Sequence, residues 1–219
     1  MIMSITYTRL LVLWLSASSL LTLNAQDWNL HKDYDGIEVY TRKVDGFAIK
    51  DVRIRTKLQT SMHELIAALE DFELQDSWVK NTNESRKIEQ ITPTHYFFYI
   101  GTDFPFPAKD RDAVIEYKRS LDAENNYVFI EYKAHPDRMP TASDYIRMPS
   151  LDATYTLTPL EQGWIDVDYF IRADIGGSIP NWIINMAISK GPKDTMVALK
   201  KVLASGQYAG AQVSGLEGL

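Results

Sequence analysis

The chain has 219 residues, of which 45% are hydrophobic and 11% aromatic, and its formal net charge is −6. This composition is typical of a folded domain and argues against disorder, while the acidic balance argues against a nucleic-acid partner, since phosphate binding requires a basic surface. The sequence contains no cysteine, which excludes disulfides, thiolate catalysis and cysteine metal sites.

The first 25 residues have the pattern of a secretory signal peptide. Arg9 is followed by an apolar run from Leu10 to Leu23 and then by Asn24 and Ala25, and this run is short for a membrane span. We predict cleavage after Ala25 and export to the periplasm or the exterior. The alternative is a membrane anchor formed by residues 10–23.

The next segment predicts a hairpin followed by helices. Residues 26–34 indicate a short amphipathic turn of helix, and the alternating runs 37–43 and 48–58 flank the turn at Asp45-Gly46. Ser61 and Glu64 form a capping box before apolar residues at helical spacing, which predicts a helix up to Phe72. A second short helical piece is expected between Leu74 and Val79.

The middle of the chain predicts a long antiparallel meander. Turn residues separate runs with strand periodicity, notably at 122–126 and 161–163. The predicted strands are 85–91, 94–101, 110–120, 127–134, 145–158 and 164–174. The last of them alternates most cleanly, with Ile165, Val167, Tyr169, Ile171 and Ala173 on one face.

The last predicted element is a long helix within residues 174–203. Ser178 is a suitable N-cap and Pro180 lies in the first turn. The apolar arc over 179–188 is wide, and it changes direction after Gly191-Pro192, where we expect a kink or an interruption. The glycine-rich residues 206–219 predict a flexible tail, which leaves 26–205 as the folded domain.

This order of elements predicts an α+β fold in which a curved antiparallel sheet wraps around the C-terminal helix. The wide apolar arc has two explanations. The helix is either simply buried against the sheet, or it covers the sheet with one side and closes an internal apolar cavity with the rest.

Four stretches carry a resemblance to a known family: Trp28 with 36–40, 105–107 leading to Arg111-Asp112, 144–147, and 176–182. In this order they resemble START domains, the lipid-transfer domains related to steroidogenic acute regulatory protein, over about residues 28–203. The resemblance implies a helix-grip fold with an internal tunnel for one lipid or hydrophobic small molecule. It also implies a gate formed by the loop 101–109 and the C-terminal helix, transient membrane contact and no cofactor, and we expect a monomer.

Two sets of residues are candidates for these roles. Tyrosine hydroxyls supply isolated polar points in an apolar wall, although tyrosines more often lie at the edge of a core. The ligand-cavity candidates are Trp78, Tyr99, Arg111, Tyr117, Tyr132, Tyr155, Trp182, Asn185 and Met186. The gate candidates are Phe104, Phe106, Pro107, Ile183 and Pro192.

Several of these residues allow a structural explanation as well. Arg111 and Asp112 are adjacent on a strand and therefore face opposite ways, so a role in tying the strand to a loop is favoured over contact of Arg111 with an anionic lipid head. Phe104 and Phe106 either insert into lipid or cap the open end of the core. Phe98 and Tyr117 stand near positions where some sterol-binding relatives are expected to carry an acid–arginine pair, which argues against a sterol.

No pattern indicates catalysis or metal binding. The four histidines, His31, His63, His95 and His135, are scattered without ligand spacing, and the sequence lacks GxSxG, P-loop and dinucleotide-binding motifs. We therefore predict a protein that is not an enzyme and has no metal site. The alternative is an aromatase or cyclase built on the same scaffold, because fold alone does not define chemistry.

Overall fold

The computed structural model describes residues 28–180, 182–184 and 190–217. The helices are α1 (Met62–Glu70), α2 (Gln75–Trp78) and α3 (Gly191–Ala204), with a 3-10 turn at Glu161–Gly163. The strands are β1 (Asn29–Asp33), β2 (Glu38–Arg42), β3 (Asp51–Gln59), β4 (Thr82–Thr92), β5 (His95–Thr102), β6 (Asp110–Asp122), β7 (Tyr127–Ala134), β8 (Tyr145–Arg147), β9 (Ser150–Pro159) and β10 (Trp164–Asp174).

The strands form one sheet in the order β1-β2-β3-β10-β9-β7-β6-β5-β4. All pairs along this path are antiparallel, as predicted, and the predicted hairpin is β2–β3. The last strand, β10, lies between β3 and β9. The sheet therefore joins the two ends of the domain, and its inner face is covered by the helices in the helix-grip arrangement.

Two strand predictions need correction. Residues 29–33 form strand β1, which pairs with β2, so the predicted turn of helix is wrong and tertiary pairing overrides a weak local preference. The predicted strand 145–158 is two strands: β8 pairs parallel with the start of β6, whereas β9 pairs antiparallel with β7 and β10. Pro149 lies between them and has no N–H to donate to a ladder.

Helix α1 begins at the predicted capping box. The Ser61 hydroxyl accepts from the Glu64 N–H at 3.2 Å, and the Glu64 carboxylate accepts from the Ser61 N–H at 3.2 Å. Leu65, Ile66 and Leu69 are buried on the side of the helix that packs into the core. The local signals at this position agree with the tertiary structure.

Helix α3 begins at Gly191, with Pro192 in its first turn. Met196 and Leu199 are buried and bring the helix onto the core, while Trp182 to Ile184 form a helical turn further back. The cavity candidates Asn185 and Met186 lie outside the described residues, as does the predicted leader. None of the helices in the described part of the chain is long and apolar enough to cross a bilayer.

The segment after α3 packs against the domain, so the prediction of a flexible tail is wrong up to residue 217. Leu216 is fully buried, and the Val213 N–H donates to His63 Nδ1 at 3.0 Å. Arg119 donates to the Ser214 carbonyl at 2.9 Å. Glycine-rich segments held by a few separate anchors carry no periodicity, which is why the sequence pattern missed this packing.

Candidate functional site

A cavity of about 210 Å³ lies between the inner face of the sheet and helices α2 and α3. Strands β5, β9 and β10 each supply two or three of its lining residues, at inward positions that alternate with outward ones. The apolar lining residues are Leu69, Trp78, Val79, Phe98, Ile100, Ile115, Met148, Leu151, Ala153 and Ile171. The polar ones are Gln75, Lys80, Thr82, Thr102, Tyr132, Tyr155, Tyr169 and Thr195.

Three tyrosines form one side of the cavity. The ring centroids of Tyr132 and Tyr155 are 6.0 Å apart, and those of Tyr155 and Tyr169 are 4.4 Å apart. Burial raises the pKa of all three phenols, so they stay protonated and keep a hydroxyl donor. Within the described part of the chain these hydroxyls have no hydrogen-bond partner. Tyr132 and Tyr155 were predicted to line a cavity; Tyr169 was missed as a candidate, although the alternation of β10 places it on the same face as Ile171.

Trp78 also lines the cavity, at the end of α2. Its side chain is buried, and its indole Nε1 has no hydrogen-bond partner among the described residues. An indole N–H can only donate, and buried donors are nearly always paired. The cavity therefore contains a donor that the described protein residues do not satisfy.

The remaining tyrosine candidates lie elsewhere. Tyr117 is fully buried but does not line the cavity, because its hydroxyl donates to Glu70 Oε1 at 2.8 Å. Tyr99 is on the opposite face of β5 from Phe98 and Ile100, where the Arg86 guanidinium covers its ring at 4.9 Å. Since the two faces of a strand alternate, Tyr99 is excluded from this cavity.

Arg111 ties the start of β6 to two neighbouring segments. Its guanidinium donates to the carbonyls of Ile175 and Gly176, both at 3.1 Å, and to that of Lys109. Burial lowers its pKa, and the ring of Phe104 lies 4.7 Å from the guanidinium carbon. Arg111 does not line the cavity, so the structural explanation favoured by the sequence accounts for its contacts.

Asp112 has a separate partner on the other face of the strand. Its two carboxylate oxygens accept from Arg147 at 2.9 Å each, and Asp112 is fully buried. Arg147 also donates to the carbonyls of Pro136 and Met139. The Arg111-Asp112 dipeptide thus fastens both faces of the sheet at this end, as the alternation predicted.

The loop before β6 divides its two phenylalanines between core and solvent. Phe104 packs against the core, whereas Phe106 is 92% exposed and Pro107 is also exposed. On the segment before α3, Trp182 is 51% exposed and Ile183 is buried. Trp182 therefore does not line the cavity, because the helical turn directs Ile183 inward instead.

Both segments lie close in sequence to residues that line the cavity. Thr102 is the last residue of β5 and belongs to the predicted gate loop 101–109. Thr195 lies in the first turns of α3, three residues after Pro192, and both threonines line the cavity. The turn that carries Lys80 is joined to the loop, since the Asp103 N–H donates to the Asn81 carbonyl at 2.7 Å. The predicted gate elements thus contain or adjoin residues that line the cavity.

Carboxylates and histidines do not line the cavity in the described part of the chain. Nor does any group of three such side chains among the described residues have the geometry of a metal site. The chemistry that the described lining offers is apolar contact together with neutral donors and one lysine.

A curved sheet closed by helices over an apolar cavity defines a domain of the helix-grip class. The family model described as START domain matches residues 16–211, and the chain belongs to this family.

Similar proteins agree with this assignment. An uncharacterized protein of Pseudomonas aeruginosa is 31% identical over 80% of this chain and 86% of its own. A solved STAR-related lipid transfer protein of Xanthomonas axonopodis has a TM-score of 0.74 and 28% identity, and the match covers 81% of this chain and 98% of that one. The phosphatidylcholine transfer protein of Rattus norvegicus is 23% identical over 77% of this chain and 80% of its own.

Proposed function

We propose that the protein is a non-enzymatic carrier that binds a lipid or another hydrophobic ligand in the internal cavity and exchanges it at a membrane. The observation that carries this proposal is the cavity of about 210 Å³, whose wall is mainly apolar. Removing an apolar chain from water contributes about 0.8 kcal/mol for each buried methylene group. The relatives named as lipid transfer proteins support the same ligand class.

The lining also supports binding rather than catalysis. An aromatase or cyclase requires an acid–base pair that converges on the substrate, and the described lining offers protonated tyrosines and Lys80 instead. Raised tyrosine pKa values disfavour the phenolate that a base would need. The hydroxyls are suited to hydrogen bonding with a ligand.

Exchange at a membrane is supported by the surface around the mouth. Phe106 is 92% exposed and Trp182 is 51% exposed, and Arg111 joins the two segments that carry them. Inserting such side chains into lipid contributes roughly 1.5–3 kcal/mol each when fully buried. We propose that Phe106, Pro107 and Trp182 contact the membrane while the loop 101–109 and the helix segment containing Ile183 and Pro192 move apart.

Localisation outside the cytoplasm belongs to the same proposal. The pattern of residues 1–25 supports a cleaved leader, with an anchor formed by residues 10–23 as the alternative. Mass spectrometry of the protein from its native host distinguishes a chain that begins at Gln26 from one that retains the leader.

Native mass spectrometry of the purified protein, followed by extraction of what is bound, tests the binding proposal. We expect a stoichiometric lipid. After its removal, Ala153→Phe should abolish uptake of fluorescent lipid probes, because Ala153 lines the cavity and is buried. Thr154→Phe changes the neighbouring position on the outer face and should leave uptake intact. An empty protein that takes up no fatty acid, phospholipid or sterol probe would refute the carrier function.

The gate is tested by exchange between vesicles. Phe106→Ser should slow transfer without changing equilibrium binding, since Phe106 is exposed and does not line the cavity. Pro192→Ala tests the hinge at the start of α3. Unchanged exchange rates in both variants would show that this gate is wrong even if the cavity binds lipid.

A further inference from the structure

The side of the cavity that includes the exposed Lys80, which we call the mouth, is polar, and Lys80 is the one cation among the described lining residues. Lys80, Thr82, Thr102 and Thr195 line the cavity where α2, β4, β5 and α3 approach each other. Lys80 is exposed, in the turn after α2. Within the described part of the chain no carboxylate forms an ion pair with it, although the chain as a whole has more acidic than basic residues.

A buried donor without a partner among the described residues lies two positions before Lys80 in the sequence. Trp78 is only 7% exposed, lines the same cavity, and has an indole N–H without a partner in the described residues. Since this group is a donor only, its partner must be an acceptor. Lysine likewise offers donors and no acceptor. The buried Trp78 N–H therefore suits an oxygen acceptor on the ligand, and the exposed Lys80 ammonium favours oxygens that carry negative charge.

Apart from these groups, Gln75 and the hydroxyls of Tyr132, Tyr155 and Tyr169, the lining of the cavity is apolar, and the cavity is small. Phe98, Ile100, Ile115, Leu151 and Ile171 form the wall away from the mouth. The volume of about 210 Å³ is below the roughly 300–1,000 Å³ of common small-molecule pockets. Such a space suits one chain better than two chains side by side.

We propose that the cavity selects a single-chain amphiphile with an anionic oxygen head, a carboxylate or a phosphate. This inference rests on the proposed lipid binding. The head group lies at the mouth and forms an ion pair with Lys80. A head or ester oxygen accepts from the Trp78 Nε1–H, and the chain occupies the apolar wall.

Competition measurements on the delipidated full protein test this proposal. The bound probe is cis-parinarate, and the competitors are palmitate, palmitoyl lysophosphatidate, uncharged monopalmitin and vesicles of two-chain dioleoyl phosphatidate. We expect each single-chain anion to compete at a concentration about tenfold or more below that of monopalmitin, as the loss of one charge-assisted contact implies. Dioleoyl phosphatidate should compete weakly. The better of the two anions identifies the head as carboxylate or phosphate.

Two variants link the preference to the residues. Lys80→Gln should weaken the anions about tenfold and leave monopalmitin unchanged, and because Lys80 is exposed the substitution does not endanger the fold. Lys50→Gln, an exposed lysine that does not line the cavity, should change nothing. Trp78→Phe keeps an aromatic ring and removes the N–H donor. It should weaken the binding of each competitor that has an oxygen accepting from this N–H.

The outcomes separate this inference from the proposed function. Equal competition by monopalmitin and the anions, an unchanged anion preference in Lys80→Gln, or tight binding of dioleoyl phosphatidate would overturn the inference while lipid binding itself stands. Failure of cis-parinarate and of every tested lipid to bind would instead overturn the proposed function.

Discussion

The space between the sheet and its helices has two ends, one filled by side chains and one open as the cavity. Both contain buried tyrosines, but the two ends differ in whether the polar groups have hydrogen-bond partners. At the filled end, Tyr117 donates to Glu70 at 2.8 Å, and Arg119 donates to the same carboxylate at 2.8 Å. At the open end, which is the cavity, Tyr132, Tyr155 and Trp78 have polar groups without partners in the described residues.

The two ends are in contact, so position in the sheet does not explain why the tyrosine hydroxyls at one end have partners and those at the other end do not. Tyr117 and Tyr132 are cross-strand neighbours on β6 and β7, with ring centroids 5.3 Å apart. Of these two tyrosines, only Tyr117 donates a hydrogen bond to a residue of α1 among the described residues. A buried tyrosine whose hydroxyl has a protein partner stabilises the fold, whereas one whose hydroxyl has no such partner is available to a ligand.

The largest expected effect is at the filled end. Glu70→Ala leaves Arg119, whose side chain is 1% exposed, without its carboxylate. Removing one member of a buried ion pair destabilises by about 3–5 kcal/mol. Urea unfolding should show this loss, while Asp76→Ala at an exposed position of α2 should change stability by less than about 0.5 kcal/mol. A loss below 1 kcal/mol for Glu70→Ala would contradict the structural role of this end.

The C-terminal segment closes the same end. Arg119 also donates to the Ser214 carbonyl at 2.9 Å, and Leu216 is fully buried nearby in the core. Leu216→Ala should therefore reduce the free energy of unfolding by about 2–3 kcal/mol. Leu160→Ala is the control, since Leu160 is 39% exposed. If both variants behave alike in urea unfolding, residues 205–217 do not form part of the folded domain.

A matched pair of hydroxyl deletions compares the two ends directly. Tyr117→Phe removes a buried hydrogen bond and should reduce the stability of the ligand-free protein by about 1 kcal/mol. Tyr155→Phe removes a hydroxyl with no described partner and should change it by less than about 0.5 kcal/mol. Thermal unfolding measures both, and lipid uptake should be weakened only by Tyr155→Phe. The reverse pattern would place the ligand at the other end.

Much of the fold could be predicted because local pattern and tertiary structure agree. The bounds of β7 and β10 match the predicted strands, and the capping box of Ser61 marks the start of α1. Trp78, Tyr132 and Tyr155 line the cavity, and whether they bind a ligand stays a prediction. Each lies in a helix or strand or directly at its end, where the periodicity of the sequence predicts which side chains face the interior.

The rest depended on contacts that are distant in sequence. Tyr99 and Phe98 are adjacent, and only the register of β5 decides which of them faces inward. Tyr117 differs from Tyr132 through Glu70, which lies 47 residues away. The packed segment after α3 and the exposed indole of Trp182 likewise follow from long-range packing, which one sequence does not encode in its periodicity.

The smallest expected effect is at a third polar cluster, on the outer face of the sheet, where Glu116 has several partners. Partial burial would raise the pKa of Glu116, but hydrogen bonds from Lys118, His95 and His135 outweigh it and lower this pKa to about 2. A carboxyl whose pKa is lower in the folded state stabilises the fold above its ordinary pKa, and this contribution is lost as the pH falls toward 2.

The difference in stability between the wild type and Glu116→Gln should therefore narrow between about pH 5 and pH 2. Urea unfolding at several pH values measures this difference. Glu131→Gln, which removes an exposed carboxylate from β7, shows whether loss of any negative charge gives the same trend. If the difference for Glu116→Gln stays constant with pH, Lys118, His95 and His135 do not stabilise the ionised carboxylate of Glu116 in the folded protein. If the difference in stability narrows and Glu116→Gln takes up lipid as the wild type does, the hydrogen-bonded polar groups of this cluster stabilise the fold, as those of the filled end do. Ligand binding then depends on the cavity and not on this cluster.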